Sequence, residues 1–333
     1  MIREKKKGKS MDSTTRRRFI QHAATLTGGL VTGTTTSASE SANPTQTVRL
    51  SKTASLRALL KQPGIHVVPE AHSVFAARLA EMHGFKAIYI GGNMMSAMYL
   101  GIEDYALVTI SELVEIGGRI ANGVHIPAIV DADQGGETSL NVYRNVTAYE
   151  QAGIAAMHLE DTRNPKHMGR GMSELMPIEE MVQRISAAVE ARSDPDFTII
   201  CRSDCLGLGA EPGSTEEAIR RGTAFATAGG DAFFCVGMKS EQVKEIAREV
   251  PIPLVGLNIP TPEVRGTGLK VNIHAVQVYQ PAMQLYEKML LELQENGQFL
   301  RREERRLSPT TMSKILQRKE YRSLAKKWLS LKD

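Results

Sequence analysis

Residues 126–133 read IPAIVDAD, residues 155–161 read AAMHLED and residues 197–204 read FTIICRSD. Each is a short apolar run of strand length that stops on charged side chains. Parallel strands buried on both faces have this composition. Working outward, five further runs follow the plan, at 65–71, 87–92, 232–238, 252–258 and 269–274. The segments between them carry helical spacing, as in Met181, Ile185, Ala188 and Val189, or Ala218, Ala224, Phe225 and Ala228. Eight such units within about 230 residues predict an α/β chain folded as a (β/α)8 TIM-type barrel rather than an open doubly wound sheet. No Gly-x-Gly-x-x-Gly follows the first run. Gly207 and Gly209 lack both a third glycine and the helix it should open, which argues against dinucleotide binding.

A chain of 333 residues that is 42% hydrophobic can bury a substantial core. No apolar run approaches the roughly 18 residues needed to cross a bilayer. Cys201, Cys205 and Cys235 are an odd number, two of them inside strand-like runs, and read as small buried residues rather than a disulfide. The net charge of +4 is unevenly spread. Residues 1–38 hold eight Lys/Arg against Glu4 and Asp12, and residues 298–333 hold eleven against four acids, so the body between them is acidic. The basic tail, 307–331, reads as an amphipathic helix with solvated Arg318, Lys319, Lys326 and Lys327, not as a nucleic-acid surface.

The first segment looks like an address. Thr15-Arg16-Arg17-Arg18-Phe19-Ile20 fits the twin-arginine export pattern, with a weakly apolar stretch to Val31 and a small-residue cleavage site at Ala38. The expected organisation is a signal over 1–38, a polar linker over 39–50, a catalytic barrel over 51–296 and a helical extension over 297–333. The expected destination is periplasmic or otherwise exported through that twin-arginine signal, or cytoplasmic if the signal does not function. Met11 competes with Met1 as the start.

The strand ends carry the chemistry. Active sites of such barrels assemble at the carboxyl-terminal ends of the strands. Asp131 and Asp133, two apart on one strand, can share a face, and Glu160 ends the next run. Three gathered carboxylates repel one another unless a cation compensates, which points to Mg²⁺ or Mn²⁺. Arg202 could grip an anionic substrate bidentately. The same acids could instead cap helices or pair with rim cations. Gly91-Gly92-Asn93 could cradle an anion with backbone N–H groups, or simply turn the chain.

Asp131-Ala132-Asp133-Gln134-Gly135, Asn141-Val142-x-Arg144, Glu160-Asp161-Thr162-x-x-Pro165 and Arg202-Ser203-Asp204 together resemble the isocitrate lyase/phosphoenolpyruvate mutase superfamily over residues 65–296. The resemblance implies a barrel whose last helix is swapped between subunits of a homodimer or homotetramer. It also implies Mg²⁺ and a small 2-oxo acid substrate. It assigns the metal to Asp131, Asp133 and Glu160. It assigns the substrate carboxylate to Gly91, Gly92 and Asn93, the oxo group to Arg202 and a gating role to Asp104.

Three features select the branch. The superfamily's lyase loop Lys-Arg-Cys-Gly-His is matched by Lys166-His167-Met168-Gly169-Arg170, and the Met168 thioether has no proton to give. The mutase pattern fails at Thr162. Asp104-x-Ala106-Leu107-x-Thr109-x-Ser111-Glu112, Glu160-Asp161-Thr162, Gly169-Arg170, Val236-Gly237 and Asn272-x-His274 match the oxaloacetate decarboxylase branch. That match implies decarboxylation of oxaloacetate to pyruvate and CO₂ through an enolate held by Mg²⁺ and Arg202, with His274 near the departing carboxylate or in a proton relay. Two departures stand out. Gly135-Gly136-Glu137 replaces Gly-aromatic-Gly, placing Glu137 near the site, and Ile259 stands where the branch has a tyrosine. A different 2-oxo or 2-hydroxy diacid therefore remains open. So do a lyase of the 2-methylisocitrate or dimethylmalate type and an exported binding protein without catalysis.

Overall fold

A computed structural model describes residues 50–168, 174–207, 214–300 and 306–329. The signal at 1–38, all but the last residue of the linker, and the Gly169-Arg170 match lie outside the described residues. Each apolar run holds a parallel strand: β1 (His66–Pro69), β2 (Ile88–Ile90), β3 (Ala128–Asp131), β4 (Ala156–Glu160), β5 (Thr198–Ser203), β6 (Ala232–Cys235), β7 (Leu254–Leu257) and β8 (Leu269–His274). They pair in the order β1-β8-β7-β6-β5-β4-β3-β2. A bridge from Glu70 to Tyr89, with Ala71 N–H donating to the Tyr89 carbonyl at 2.9 Å, closes the ring between β1 and β2. The fold is the (β/α)8 barrel.

Strand alternation separates two cores. Tyr89, Ile129, Ile200, Phe234, Val255, Val271 and Ile273 point inward and fill the barrel. Ile88, Ile90, Val130, Leu159, Cys201 and Phe233 point outward against the helices. The outer layer includes α1 (Lys52–Lys61), α2 (Val74–Met82), α3 (Gly92–Met95), α4 (Ile110–Asn122), α5 (Ser139–Gln151), α6 (Ile178–Ala191), α7 (Thr215–Thr227) and α8 (Ser240–Glu249). Local chemistry sets their ends. Thr109 and Glu112 form a capping box at the start of α4: Thr109 N–H donates to Glu112 Oε2 at 2.8 Å, and Glu112 N–H to Thr109 Oγ1 at 3.3 Å. A box of this kind stabilises a helix by about 1 kcal/mol. It accounts for the Thr109-x-Ser111-Glu112 stretch without a role in chemistry.

After the barrel come α9 (Tyr279–Asn296), α10 (Pro309–Ile315) and α11 (Arg318–Leu329). The long α9 buries only Tyr279, leaving Tyr286, Leu290 and Leu291 exposed. No helix among the described residues is long and apolar enough to cross a membrane. Cys201, Cys205 and Cys235 are buried free thiols.

Candidate active site

Glu160 ends β4 pointing inward, while Asp161 points outward, where Arg221 Nη1 reaches it at 2.9 Å and Ser203 Oγ donates to it at 2.6 Å. Neighbouring acids thus serve different ends: Asp161 ties α7 to the sheet, and Glu160 faces the mouth. Asp131 is the last residue of β3 and also faces in. Asp133 arrives by another route than strand alternation. The chain turns after β3 with a left-handed backbone at Asp133 (φ 48°), and its N–H donates to Asp131 Oδ1 at 2.9 Å. The turn continues through Gly135 (φ 76°), where a Cβ would stand 2.6 Å from Leu159 Cδ2. Arg184 then binds the carbonyls of Gln134, Gly136 and Glu137 at 3.0, 2.7 and 2.6 Å.

Asp133, Glu160 and Asp104 converge on an ammonium that the sequence reading passed over. Lys166, fully buried, bonds Asp133 and lies 3.3 Å from Asp104 Oδ2 and 3.4 Å from Glu160 Oε1. A lysine one residue after a loop proline reads as solvated in sequence; only the return of that loop over the mouth buries it. Arg202 supplies the second cation. Its Nε and Nη2 bind Asp204 at 2.8 and 2.9 Å, its Nη1 lies 2.9 Å from Glu160 Oε2 and 3.7 Å from Asp131 Oδ2, and its guanidinium stands 5.7 Å from the centre of the Phe234 ring.

Burial dominates the titration here. It pushes Asp133 up to about 6, against the pull of Lys166, and raises Glu160 well above the carboxylate range despite Arg202 and Lys166. Burial also opposes ionisation of Asp131, but positive charge on His158, present in the acid range where that carboxyl would titrate, and on Lys166 and Arg202 outweighs it and holds the carboxyl below the usual range. Desolvation lowers His158 to about 4, so this interior imidazole is neutral; its Nε2 meets Tyr89 OH at 2.9 Å.

This donor set fits a hard divalent cation. Asp131, Asp133 and Glu160 are buried at the mouth, Asp133 and Glu160 against Lys166 and Asp131 and Glu160 against Arg202, and neither Glu160 oxygen completes a hydrogen bond of good geometry. Among the described residues no three acid, histidine or cysteine side chains close on one point at ligand distance, and the Lys166 ammonium lies between Asp133 and Glu160. Such an ion would be held by Asp131, Asp133 and Glu160 once Lys166 withdraws.

Beside the acids lies a cavity of about 420 Å³, walled in part by Glu70, Tyr89, Gly91, Asn93, Asp104, Asp131, His167, Arg202 and Phe234. Gly91 and Asn93 line it. The Gly92 N–H is already given to Asp131 Oδ2 at 2.9 Å, and Asn93 Oδ1 accepts from Tyr279 OH at 2.6 Å. Asp104 reaches the loop after β4: besides Lys166, its carbonyl faces His167 Nδ1 at 3.1 Å.

His274 is not brought to the cavity. Parity on β8 turns Val271, Ile273 and Ala275 inward, so His274 faces out, near Asn272 at 3.3 Å and Gln277 at 3.2 Å. Asn272 clasps the loop after β7 through the Ile259 carbonyl at 2.6 Å and Thr261 Oγ1 at 3.0 Å, so Asn272-x-His274 is a fastening on the outer face. Ile259 is buried in the outer core and Glu137 is exposed; neither lines the cavity. Met168 does not line it either, whereas its neighbour His167 does, with Nε2 unpaired and 3.6 Å from Asp204 Oδ2. The groups of this region missed in the sequence are Lys166 and Asp204, which brace the acids and Arg202, and His167 and Glu70, which line the cavity. The last had a legible signal, an acid at the end of the first apolar run.

Fold and site define a barrel enzyme with an acid-lined mouth. Residues 56–294 match the family model described as phosphoenolpyruvate phosphomutase. The chain is 37% identical over 228 residues to an oxaloacetate decarboxylase of Ectopseudomonas mendocina (strain ymp), an alignment covering 66% of this chain and 77% of that protein. It resembles the crystal structure of phosphoenolpyruvate phosphomutase from Streptomyces platensis subsp. rosaceus (TM-score 0.76, 30% identity, 83% of this chain and 99% of that one). It also resembles phosphonopyruvate hydrolase in complex with oxalate and Mg²⁺ (TM-score 0.73, 28% identity, 84% and 100%). The chain belongs to the phosphoenolpyruvate mutase/isocitrate lyase superfamily.

Proposed function

We propose that the protein is a magnesium-dependent carbon–carbon lyase that decarboxylates oxaloacetate to pyruvate and CO₂. The observation that carries this is the burial of Asp131, Asp133 and Glu160 at the barrel mouth beside Arg202, which lies 2.9 Å from Glu160 and 3.7 Å from Asp131, in a chain 37% identical to an oxaloacetate decarboxylase. When bound, a divalent cation supplies positive charge beside the 2-oxo oxygen as negative charge collects there. Arg202 adds preorganised charge: Asp204 grips two of its nitrogens, so it need not reorient as the oxyanion develops. Phe234, Leu257 and Ala275 keep their wall apolar and limit water. His167, at the mouth with Nε2 3.6 Å from Asp204 Oδ2, is the group placed to hold a proton and deliver it to C3 as the enolate forms.

The test is pyruvate release from oxaloacetate with Mg²⁺ and with EDTA, after subtraction of metal-catalysed background, with Arg202→Ala as control. If wild type, variant and blank coincide, the reading fails.

The basic N-terminus supports export through a twin-arginine signal, which cell fractionation with and without Arg16 and Arg17 would test. The exposed apolar residues of α9 support helix exchange in a homodimer or homotetramer. Light scattering of a Leu290→Glu variant should then read a smaller particle than wild type.

A further inference from the structure

Two of the backbone donors in Gly91-Gly92-Asn93 are engaged within the protein. The Gly92 N–H is given to Asp131 Oδ2 at 2.9 Å. The Gly91 N–H faces Glu70, whose Oε1 would stand 2.6 Å from a Cβ at Gly91, so only glycine lets the acid approach. Asn93 differs from both glycines in bringing a side-chain amide to the cavity wall.

Tyr279, the first residue of α9, is 8% exposed and does not line the cavity. Its hydroxyl donates to Asn93 Oδ1 at 2.6 Å, the one hydrogen bond of that amide among the described residues. This length suits O–H···O and is shorter than N–H···O bonds normally become, so the amide oxygen, not the nitrogen, meets the phenol. Burial and the nearby Glu70, Glu103 and Asp104 push the phenol's titration up, so it keeps the proton it donates. The way the amide faces decides its effect on an anion. Glu70, Glu103 and Asp104 already line this part of the cavity, and an amide oxygen would add to their repulsion, whereas Nδ2 offers a neutral donor.

We propose that Tyr279 is a positioning residue: by holding Asn93 Oδ1 it fixes the amide so that Nδ2 faces the cavity and donates to a carboxylate of the substrate. Asn93 then touches substrate, and Tyr279 acts only through it. This rests on the reading of the cavity as a 2-oxo-acid site.

A double-mutant cycle tests it, read as oxalate affinity by calorimetry with Mg²⁺ and as KM and kcat for oxaloacetate. Circular dichroism checks the fold of each variant. Asn93→Ala removes the donor and should weaken oxalate binding by about tenfold or more, the effect of one hydrogen bond to a charged group. Tyr279→Phe keeps the ring but frees the amide to turn over. It should weaken oxalate binding and raise KM by about fivefold, in proportion to the amides wrongly turned. Its kcat should stay within about twofold of wild type, because the carboxylate is held alike in ground and transition states. Adding Tyr279→Phe to Asn93→Ala should weaken neither reading further. Losses that add in the double variant, or a Tyr279→Phe protein within about twofold of wild type in both readings, overturn the role of Tyr279 alone. Wild-type protein that binds no oxalate with Mg²⁺ overturns that role together with the 2-oxo-acid reading.

Discussion

Lys166 Nζ lies 3.4 Å from Glu160 Oε1, at a depth where neither side chain meets solvent. Four acids share that ammonium or its surroundings, and removing it leaves their charge uncompensated. Breaking a buried charge assembly in this way costs on the order of 3–5 kcal/mol. Lys166→Met should therefore lower the melting temperature of the metal-free protein sharply. Added Mg²⁺ should raise it more than in wild type, because the ion then meets no internal competitor. Calorimetry with EDTA and with Mg²⁺ measures both, and equal Mg²⁺ shifts in the two proteins would refute the competition.

Arg202 is braced by Asp204 and directed at Glu160. Arg202→Ala should reduce kcat for oxaloacetate by about 10²–10³-fold, the usual effect of losing one preorganised donor to a developing oxyanion. Arg202→Lys keeps the charge but not the two-pronged grip on Asp204, and should recover only part of the rate. Steady-state kinetics on the three proteins decide.

The two histidines divide by the faces they occupy. His274→Ala, on the outer face of β8, should leave kcat/KM within about threefold of wild type and cost about 1 kcal/mol of stability through its lost hydrogen bonds. His167→Ala should slow turnover by about 10²-fold or more, the contribution of a proton-transferring group. A larger kinetic loss at His274 than at His167 would reverse both assignments.

Glu70 makes the stability of the metal-free protein depend on pH. Burial pushes its carboxyl up to about 7, against the Val276 and Gly91 N–H groups, while Asp131 reinforces the rise. The folded form therefore holds a proton that the unfolded chain releases near pH 4.5. This contribution is complete below that pH and is lost as pH rises to 7 and beyond. Glu70→Gln should flatten the fall by on the order of 3 kcal/mol between pH 5 and 8, read from urea unfolding at each pH.

Some of this architecture was open to inspection in the chain itself. The run 269–274 is β8 to the residue, and 126–133 runs two residues past β3 at each end, at its C-terminal end because the chain turns with a positive φ at Asp133. Burial on both faces imposes an unbroken apolar signature, so a parallel strand announces itself locally. Asp131, Glu160 and Arg202 were legible for a related reason: charge that ends such a run falls at the barrel mouth.

What the sequence determined alone was therefore the strand count, the barrel and the acids at its carboxyl-terminal end, since these follow from period and position along one segment. The tertiary structure alone decided which neighbours face inward, Glu160 but not Asp161, Ala275 but not His274. It also decided that Lys166, from a loop, completes the acid cluster and that Glu70 stands against Gly91. Glu70 and Gly91 are 21 positions apart in the chain, and Lys166 and Asp133 are 33. These relationships depend on how the ring closes and where a loop returns, which no local pattern encodes.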